Sequence, residues 1–313
     1  MQEMYLKTEK KNEEKKEIEV METIQKRLPV ILVEADTCGE AWERAVKEVW
    51  EHGIDIEQHY SDKLSKEATV IINVRNPLKE PRFSDKDFIS VTMFKTGKSA
   101  KLYKERNYRA MEYVTDIIDG TMNERVKEGI ESYTYNERLF SWGLRQPKHE
   151  ELLDKLGKPH IRFIDKMGCF VDNVKTGINQ VELLIQKVGE EPISRKLQIT
   201  TWQPHKDLLI SGAPCLQRIW IRIIDSKFMV METMWRSRDL YKAWGSNVVG
   251  MTEFGKWIAE RAGLELIQYV DCSNSLHIYA SDYDQIERHF EIIGKREKTF
   301  TDLANETKQK MKC

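Results

Sequence analysis

Apolar residues along this chain follow two rhythms, one of period two and one near 3.6, and their order predicts an α/β protein. LPVILVEAD reads as a first strand. GEAWERAVKEVWEHG follows as a helix, because Ala41, Trp42, Ala45, Val46, Val49 and Trp50 return at helical spacing and Gly53 supplies a stop. ATVIINV is rich in β-branched residues and is cut off at Pro77, which predicts another strand. YRAMEYVTDIIDG predicts a helix ended by Gly120, and ESYTYNERLFSW a loop or extended piece. INQVELLIQKVGEE predicts an amphipathic helix starting near Asn179. SRKLQITTW, CLQRIWIRII and KFMVMETMW alternate as strands. WGSN reads as a turn, VVGMTEFGKWIAERAG as a buried helix closed by Gly263, LELIQYVDCSNSLHIYA as the last strands, and DYDQIERHFEIIGK as a final helix.

Strands cluster in the second half and are joined by hairpins as well as helices. This predicts an α/β fold of the α+β type, with one large mixed β-sheet and helices packed on it. Residues 1–28 are dominated by Lys and Glu and predict a charged arm, whereas 29–313 contain no Pro/Gly/Ser-rich linker and read as one domain. With 313 residues the chain can bury a sizeable core. A formal net charge of -1 gives a nucleic-acid partner no support, although a local basic pocket for a small anion stays possible. The five cysteines are odd in number and lack metal spacing, so a reduced, cytoplasmic, metal-free protein is expected. No segment approaches the roughly 18 apolar residues of a membrane span.

The chemistry is concentrated between Cys215 and Tyr279. Cys215, in APCLQRIW, offers a thiol nucleophile, and Arg195, Arg218 and Arg236 are the candidate cations to activate it. Arg236 and Ser237, in WRSRD, pair a forked guanidinium with a hydroxyl, which suits a phosphate monoester. Asn247 ends AWGSN, and its carboxamide can both donate and accept at the edge of a base. His277 and Tyr279, two apart in LHIY, share one face of a strand. Each piece has a bland alternative: core filler for the Cys, a surface ion pair for the Arg, a structural turn for the Asn.

In this order and spacing, PC, then RS.D, then a Gly-containing segment ending in Asn, then H.Y, the chain resembles the thymidylate synthase family. The resemblance implies a three-layer fold, a homodimer with sheets packed back to back, and 5,10-methylenetetrahydrofolate or a related reduced pterin as one-carbon donor. It implies that Cys215 adds to C6 of a pyrimidine deoxynucleoside monophosphate, with deoxyuridylate favoured over deoxycytidylate because Asn, not Asp, stands at 247. Asp239 matches the Asp of RS.D, and His277 with Tyr279 the pair that binds the sugar hydroxyl. Arg195 and Lys196 match arginines that cross the dimer to the partner's phosphate, Lys196 losing the bidentate fork. Tyr135 resembles a tyrosine beside the thiol, with Tyr133 as rival, and Arg138 supports that loop. A proton-relay carboxylate falls on Glu112, with Asp116 as rival.

The chain departs from the family at Leu216, where many members carry His, at the WGS before Asn247, and in the tail TFTDLANETKQKMKC, which is not the usual apolar lid. A wet site would let water rather than hydride meet the exocyclic methylene intermediate. Deoxyuridylate methylation is therefore expected first, 5-hydroxymethylation of deoxyuridylate or deoxycytidylate second, and a non-catalytic nucleotide-binding paralogue third.

Overall fold

The computed structural model describes residues 27–58, 63–84, 99–143, 163–164, 170–171, 177–210 and 212–291; the N-terminal arm, Cys169, Cys313 and the C-terminal tail lie outside them. Strand β1 (Val30–Ala35) leads into helix α1 (Cys38–His52), whose first turn is capped by the Thr37 hydroxyl accepting from Glu40 N. Then come β2 (Ile54–Glu57), β3 (Leu64–Val74), α2 (Ser99–Asp119), α3 (Asn123–Lys127) and α4 (Tyr135–Phe140). A two-stranded piece, β4 (Phe163–Ile164) with β5 (Phe170–Val171), stands apart from the main sheet. The second half holds α5 (Gln180–Glu190), β6 (Gln198–Thr200), α6 (Pro204–Asp207), β7 (Leu216–Ile224), β8 (Phe228–Trp235) and β9 (Arg238–Asp239). A π-helical turn (Leu240–Trp244), α7 (Gly245–Arg261), β10 (Glu265–Tyr279) and α8 (283–291) complete it.

The main sheet is mixed and has eight strands in the order β1-β3-β10-β8-β7-β6, with β2 added to β3 and β9 to β10. Its long central strand β10 runs antiparallel to β3 and parallel to β8, and a bulge between Ser273 and Leu276 lets it pair with β9 beyond. Period-two burial decides the two faces: Ile31, Val33, Val70, Ile72, Ile219, Ile221, Met229 and Met231 point into the helix-covered core. On the opposite face Val30 is 74% and Leu32 68% exposed, with Ile71 beside them. That leaves this side of the sheet uncovered in the single chain, with an apolar patch at Val30, Leu32 and Ile71 beside the polar Glu34, Asn73, Arg218 and Glu232.

Three local expectations give way to tertiary context. ESYTYNERLFSW forms helix α4 rather than a loop, because Thr134 caps Glu137 N and buries Asn136, Glu137, Arg138 and Leu139 in a polar-rich interior. WGSN is no turn, since the π-helical segment runs straight into α7 at Gly245. SRKLQITTW supplies only the three-residue β6, with Arg195 and Lys196 exposed before it.

Helices α2 and α7 cross closely, and Gly250 makes this possible. A Cβ there would lie 2.5 Å from Cδ1 of Tyr113, so no larger residue fits without displacing that ring. Gly250→Val should cost about 1–3 kcal/mol by overpacking; urea unfolding checks it, and a variant as stable as wild type would contradict the close contact.

Candidate active site

Cys215 sits immediately before β7, partly buried, in a backbone segment held on every side. Nε of Arg236 donates to Pro214 O (3.0 Å) and Nη2 to Ala213 O (2.7 Å), while Arg236 N donates to Cys215 O (2.8 Å). Leu216 N donates to the hydroxyl of Tyr135 (3.1 Å), and Leu216 O accepts from the Thr201 hydroxyl. Each carbonyl from Ala213 to Leu216 thus has a partner, as buried backbone requires. Of the three candidate cations for the thiol, Arg236 is the one at this segment. Arg218 is neutralised by Glu232 at 2.7 Å, and Arg195 is exposed.

The wall beside the thiol is aromatic. Tyr135 meets Tyr133 (ring centroids 5.5 Å), Tyr113 (6.1 Å) and Trp235 (6.2 Å) edge-on. Burial pushes the Tyr133 and Tyr135 hydroxyls above the usual phenol range, so both are protonated at neutral pH. The other described thiols, Cys38 and Cys272, are pushed up by burial to about 11, which makes them poor nucleophiles.

A second group follows through the backbone. Ser275 N donates to Arg236 O (3.3 Å), and Nδ1 of His277 lies 3.4 Å from the Ser275 hydroxyl. His277 stands opposite Asp239 in the β9–β10 pairing, and its ring packs on Tyr279 at 4.7 Å. Nε2 of His277 is buried and has no hydrogen-bond partner among the described residues, which leaves a donor or acceptor for a ligand. Burial raises the Asp239 carboxyl, opposed by the Lys242 N–H that it caps. Ser237 lies between Arg236 and β9, and Asn247 in the first turn of α7, both partly buried.

Other residues stay outside this cluster. Arg195 and Lys196 are exposed ahead of β6. Glu112 is exposed on α2 and accepts from Tyr108, and its rival Asp116 accepts from Met122 N (2.8 Å) and the Thr121 hydroxyl (3.0 Å), closing the end of that helix. Sequence reasoning overlooked Tyr113, one residue on, whose ring adjoins Tyr135. It also passed over Arg238, inside the quoted WRSRD, because charged residues are exposed by default.

Comparison with known proteins bears on this arrangement of thiol, arginine, tyrosine and histidine. The family model described as Thymidylate synthase matches residues 121–312, which span β6 to β10 and the positions of Tyr135, Cys215, Arg236 and His277, while Tyr113 on α2 precedes the match. The chain belongs to the thymidylate synthase family. It is 23% identical over 256 residues to a protein of Methanosarcina mazei named "Putative thymidylate synthase", covering 82% of this chain and 93% of that one. A protein of Methanocaldococcus jannaschii with the same name is 22% identical over 267 residues, 83% of this chain and 96% of that one. At such identity the fold and family carry over, while individual roles rest on geometry.

Under the thiol segment lies a buried ionic cluster. Arg138 and Asp207 form a bidentate pair (2.6 and 2.8 Å) with both side chains fully buried, and Nη1 of Arg138 also donates to Thr201 O (3.0 Å). Beside them Lys206 is 3.8 Å from Glu137, and burial lowers its ammonium to about 8, partly opposed by Glu137. Between pH 8 and the ordinary 10.5 the unfolded chain binds a proton that the folded chain lacks. Stability relative to Lys206→Met should therefore rise with pH across that window; denaturant titrations from pH 7 to 10 test it, and a flat difference would contradict the burial of the amine. Asp207→Ala should cost about 3–5 kcal/mol by stranding a buried guanidinium, read in the same titrations.

Proposed function

We propose that this chain methylates C5 of deoxyuridylate through a covalent bond between Cys215 and C6. The observation that carries the reading is the backbone relay from Cys215 through Arg236 and Ser275 to His277, which gathers a thiol, a forked cation and a sugar-binding pair from β7, β8 and β10. Two of the N–H groups of Arg236 hold Ala213 and Pro214 in place, and the guanidinium has others left for a phosphate that Ser237 also contacts. Asn247 reads O4 and N3–H, and His277 Nε2 takes the sugar hydroxyl. Tyr135, protonated and anchored on Leu216 N, orients the water that removes the C5 proton.

The donor suited to this reaction is methylenetetrahydrofolate or a related reduced pterin. The narrow cleft lined by Trp42, Arg82, Tyr241, Lys242 and Gly245 combines aromatic walls with basic groups, but its volume of about 30 Å³ has room for a water and not for a pterin, and Arg82 is already paired with Glu253 at 2.6 Å. When bound, the folate supplies the one-carbon unit and the hydride. Asp239, beside this segment, offers a carboxyl to the pterin edge. A homodimer is supported by the uncovered apolar sheet patch at Val30, Leu32 and Ile71, and by the exposure of Arg195 and Lys196, free to serve a partner's phosphate. Free Cys38, Cys215 and Cys272 suit the reducing cytoplasm, and no helix among the described residues is long and apolar enough to cross a membrane.

Deoxyuridylate tritiated at C5 should lose its label only with methylenetetrahydrofolate present, yielding thymidylate and an equal amount of dihydrofolate. A product heavier by one oxygen, formed without dihydrofolate, would replace methylation with hydroxymethylation, and nucleotide binding without release would mean no catalysis. Cys215→Ala should abolish release yet keep nucleotide binding; turnover in that variant would refute the covalent route. Asn247→Asp should shift preference toward deoxycytidylate, measured as the ratio of kcat/KM values.

A further inference from the structure

Behind the aromatic wall lies an arginine whose hydrogen bonds are incomplete. Arg238 is 4% exposed, yet of its three guanidinium nitrogens only Nη1 has an acceptor, the carboxylate of Asp271. Nε and Nη2 are buried with no partner among the described residues. Asp271 is itself fully committed: it accepts from Arg238, from the Tyr269 hydroxyl (3.0 Å) and from the Ser273 hydroxyl (2.9 Å). The guanidinium lies flat against Trp235, 3.8 Å above the ring, with Trp244 at 5.8 Å. It is therefore fixed in place and cannot turn to satisfy its two idle donors.

A cation whose only task is to neutralise Asp271 needs no idle N–H groups, and each one left bare in the interior is costly. A second unpartnered donor lies in the same neighbourhood. The hydroxyl of Tyr113 is buried without a hydrogen-bond partner among the described residues. Its ring meets Tyr135, whose hydroxyl holds the residue after the thiol. Arg238 packs on Trp235, Trp235 and Tyr113 both meet Tyr135, and Tyr135 holds the residue after Cys215, so all belong to one contiguous set whose three idle donors are those of Arg238 and Tyr113. Preorganised donors of this kind suit an oxygen that becomes negative during a reaction.

We propose that Arg238, backed by the Tyr113 hydroxyl, is a catalytic residue that stabilises the pyrimidine carbonyl oxygen made negative when Cys215 adds to C6. The proposal rests on the nucleotide reading above and deepens it. In the step, the thiolate sulfur forms a bond to C6, the C5=C6 π pair moves to the C4–C5 bond, and the C4=O π pair moves onto oxygen. No electron is gained or lost, and no proton donor is required, because the cation and its N–H groups meet the charge directly or through one water. Asn247 reads the same edge of the base for identity, whereas Arg238 acts on the charge that appears there.

Addition at C6 can be followed without a folate, using full-length protein and 5-bromodeoxyuridylate with dithiothreitol. Once the adduct is protonated at C5, a thiolate of the dithiol takes the bromine from C5, the dithiol closes to its cyclic disulfide with release of bromide, and expulsion of Cys215 from C6 gives deoxyuridylate. Arg238→Gln should bind the nucleotide within about threefold of wild type by calorimetry and debrominate it about 100-fold more slowly. Arg238→Lys should recover part of the rate. Because Gln opposite Asp271 can unfold the chain, Tyr113→Phe is the second variant: it removes one hydroxyl and should slow debromination about tenfold at unchanged binding. Debromination at the wild-type rate in either folded variant overturns the proposal alone. Wild-type protein that binds no nucleotide, or binds it and leaves the bromine in place, overturns the nucleotide reading and this proposal together.

Discussion

Everything around Cys215 depends on how the backbone from Ala213 to Leu216 is held. A chain entering a sheet brings polar groups that the ladder has not yet paired, and burial makes each unpaired group costly. Here the partners come from four places: the Arg236 guanidinium and N–H at the end of β8, the Tyr135 hydroxyl on α4, the Thr201 hydroxyl after β6, and the amide of Gln217. Because they belong to different elements, the position of the sulfur reports the correct assembly of the whole second half. The residues that fix the thiol include Arg236 and Tyr135, the same side chains for which chemistry is proposed.

Around that segment the chain buries three ion pairs, Arg138–Asp207, Lys206–Glu137 and Arg238–Asp271. Such pairs contribute little net stability, since desolvation offsets attraction, but losing one partner is severe. They differ in how completely they are satisfied. The Arg138 pair is bidentate and closed, with only Nε left over, while Arg238 retains two idle nitrogens and the Glu137 carboxylate has no hydrogen bond among the described residues. A closed pair is a structural clamp. An open one, next to a thiol and an aromatic wall, is where charge can be used.

Membership of the thymidylate synthase family rests most firmly on the second half, where the family model matches from residue 121 onward. Strands β1 to β3 precede that match, yet they complete the sheet: β1 and β2 pair with β3, and β3 pairs with β10, the strand that carries His277 and Tyr279. The less recognisable part of the chain therefore supports the more recognisable part. Leu216 shows how one departure fits: it is fully buried, and its backbone rather than its side chain engages Tyr135 and Thr201.

The amino-acid sequence by itself determined the alternating strands β7 and β8 and the helices α1, α5 and α7, and it nominated the thiol, the RS pair and the H.Y pair, because periodicity and motif spacing are local properties. Tertiary structure alone decided that YNERLF is a helix, that WGSN continues one, and that Glu112 faces solvent while Tyr113 faces the site. The physical reason is that hydrogen-bond satisfaction is settled between distant segments. Arg238 lies two residues from Arg236 in the sequence, yet only Asp271, Trp235 and Trp244, converging from β10, β8 and the π-helical turn, make it a buried cation with donors to spare.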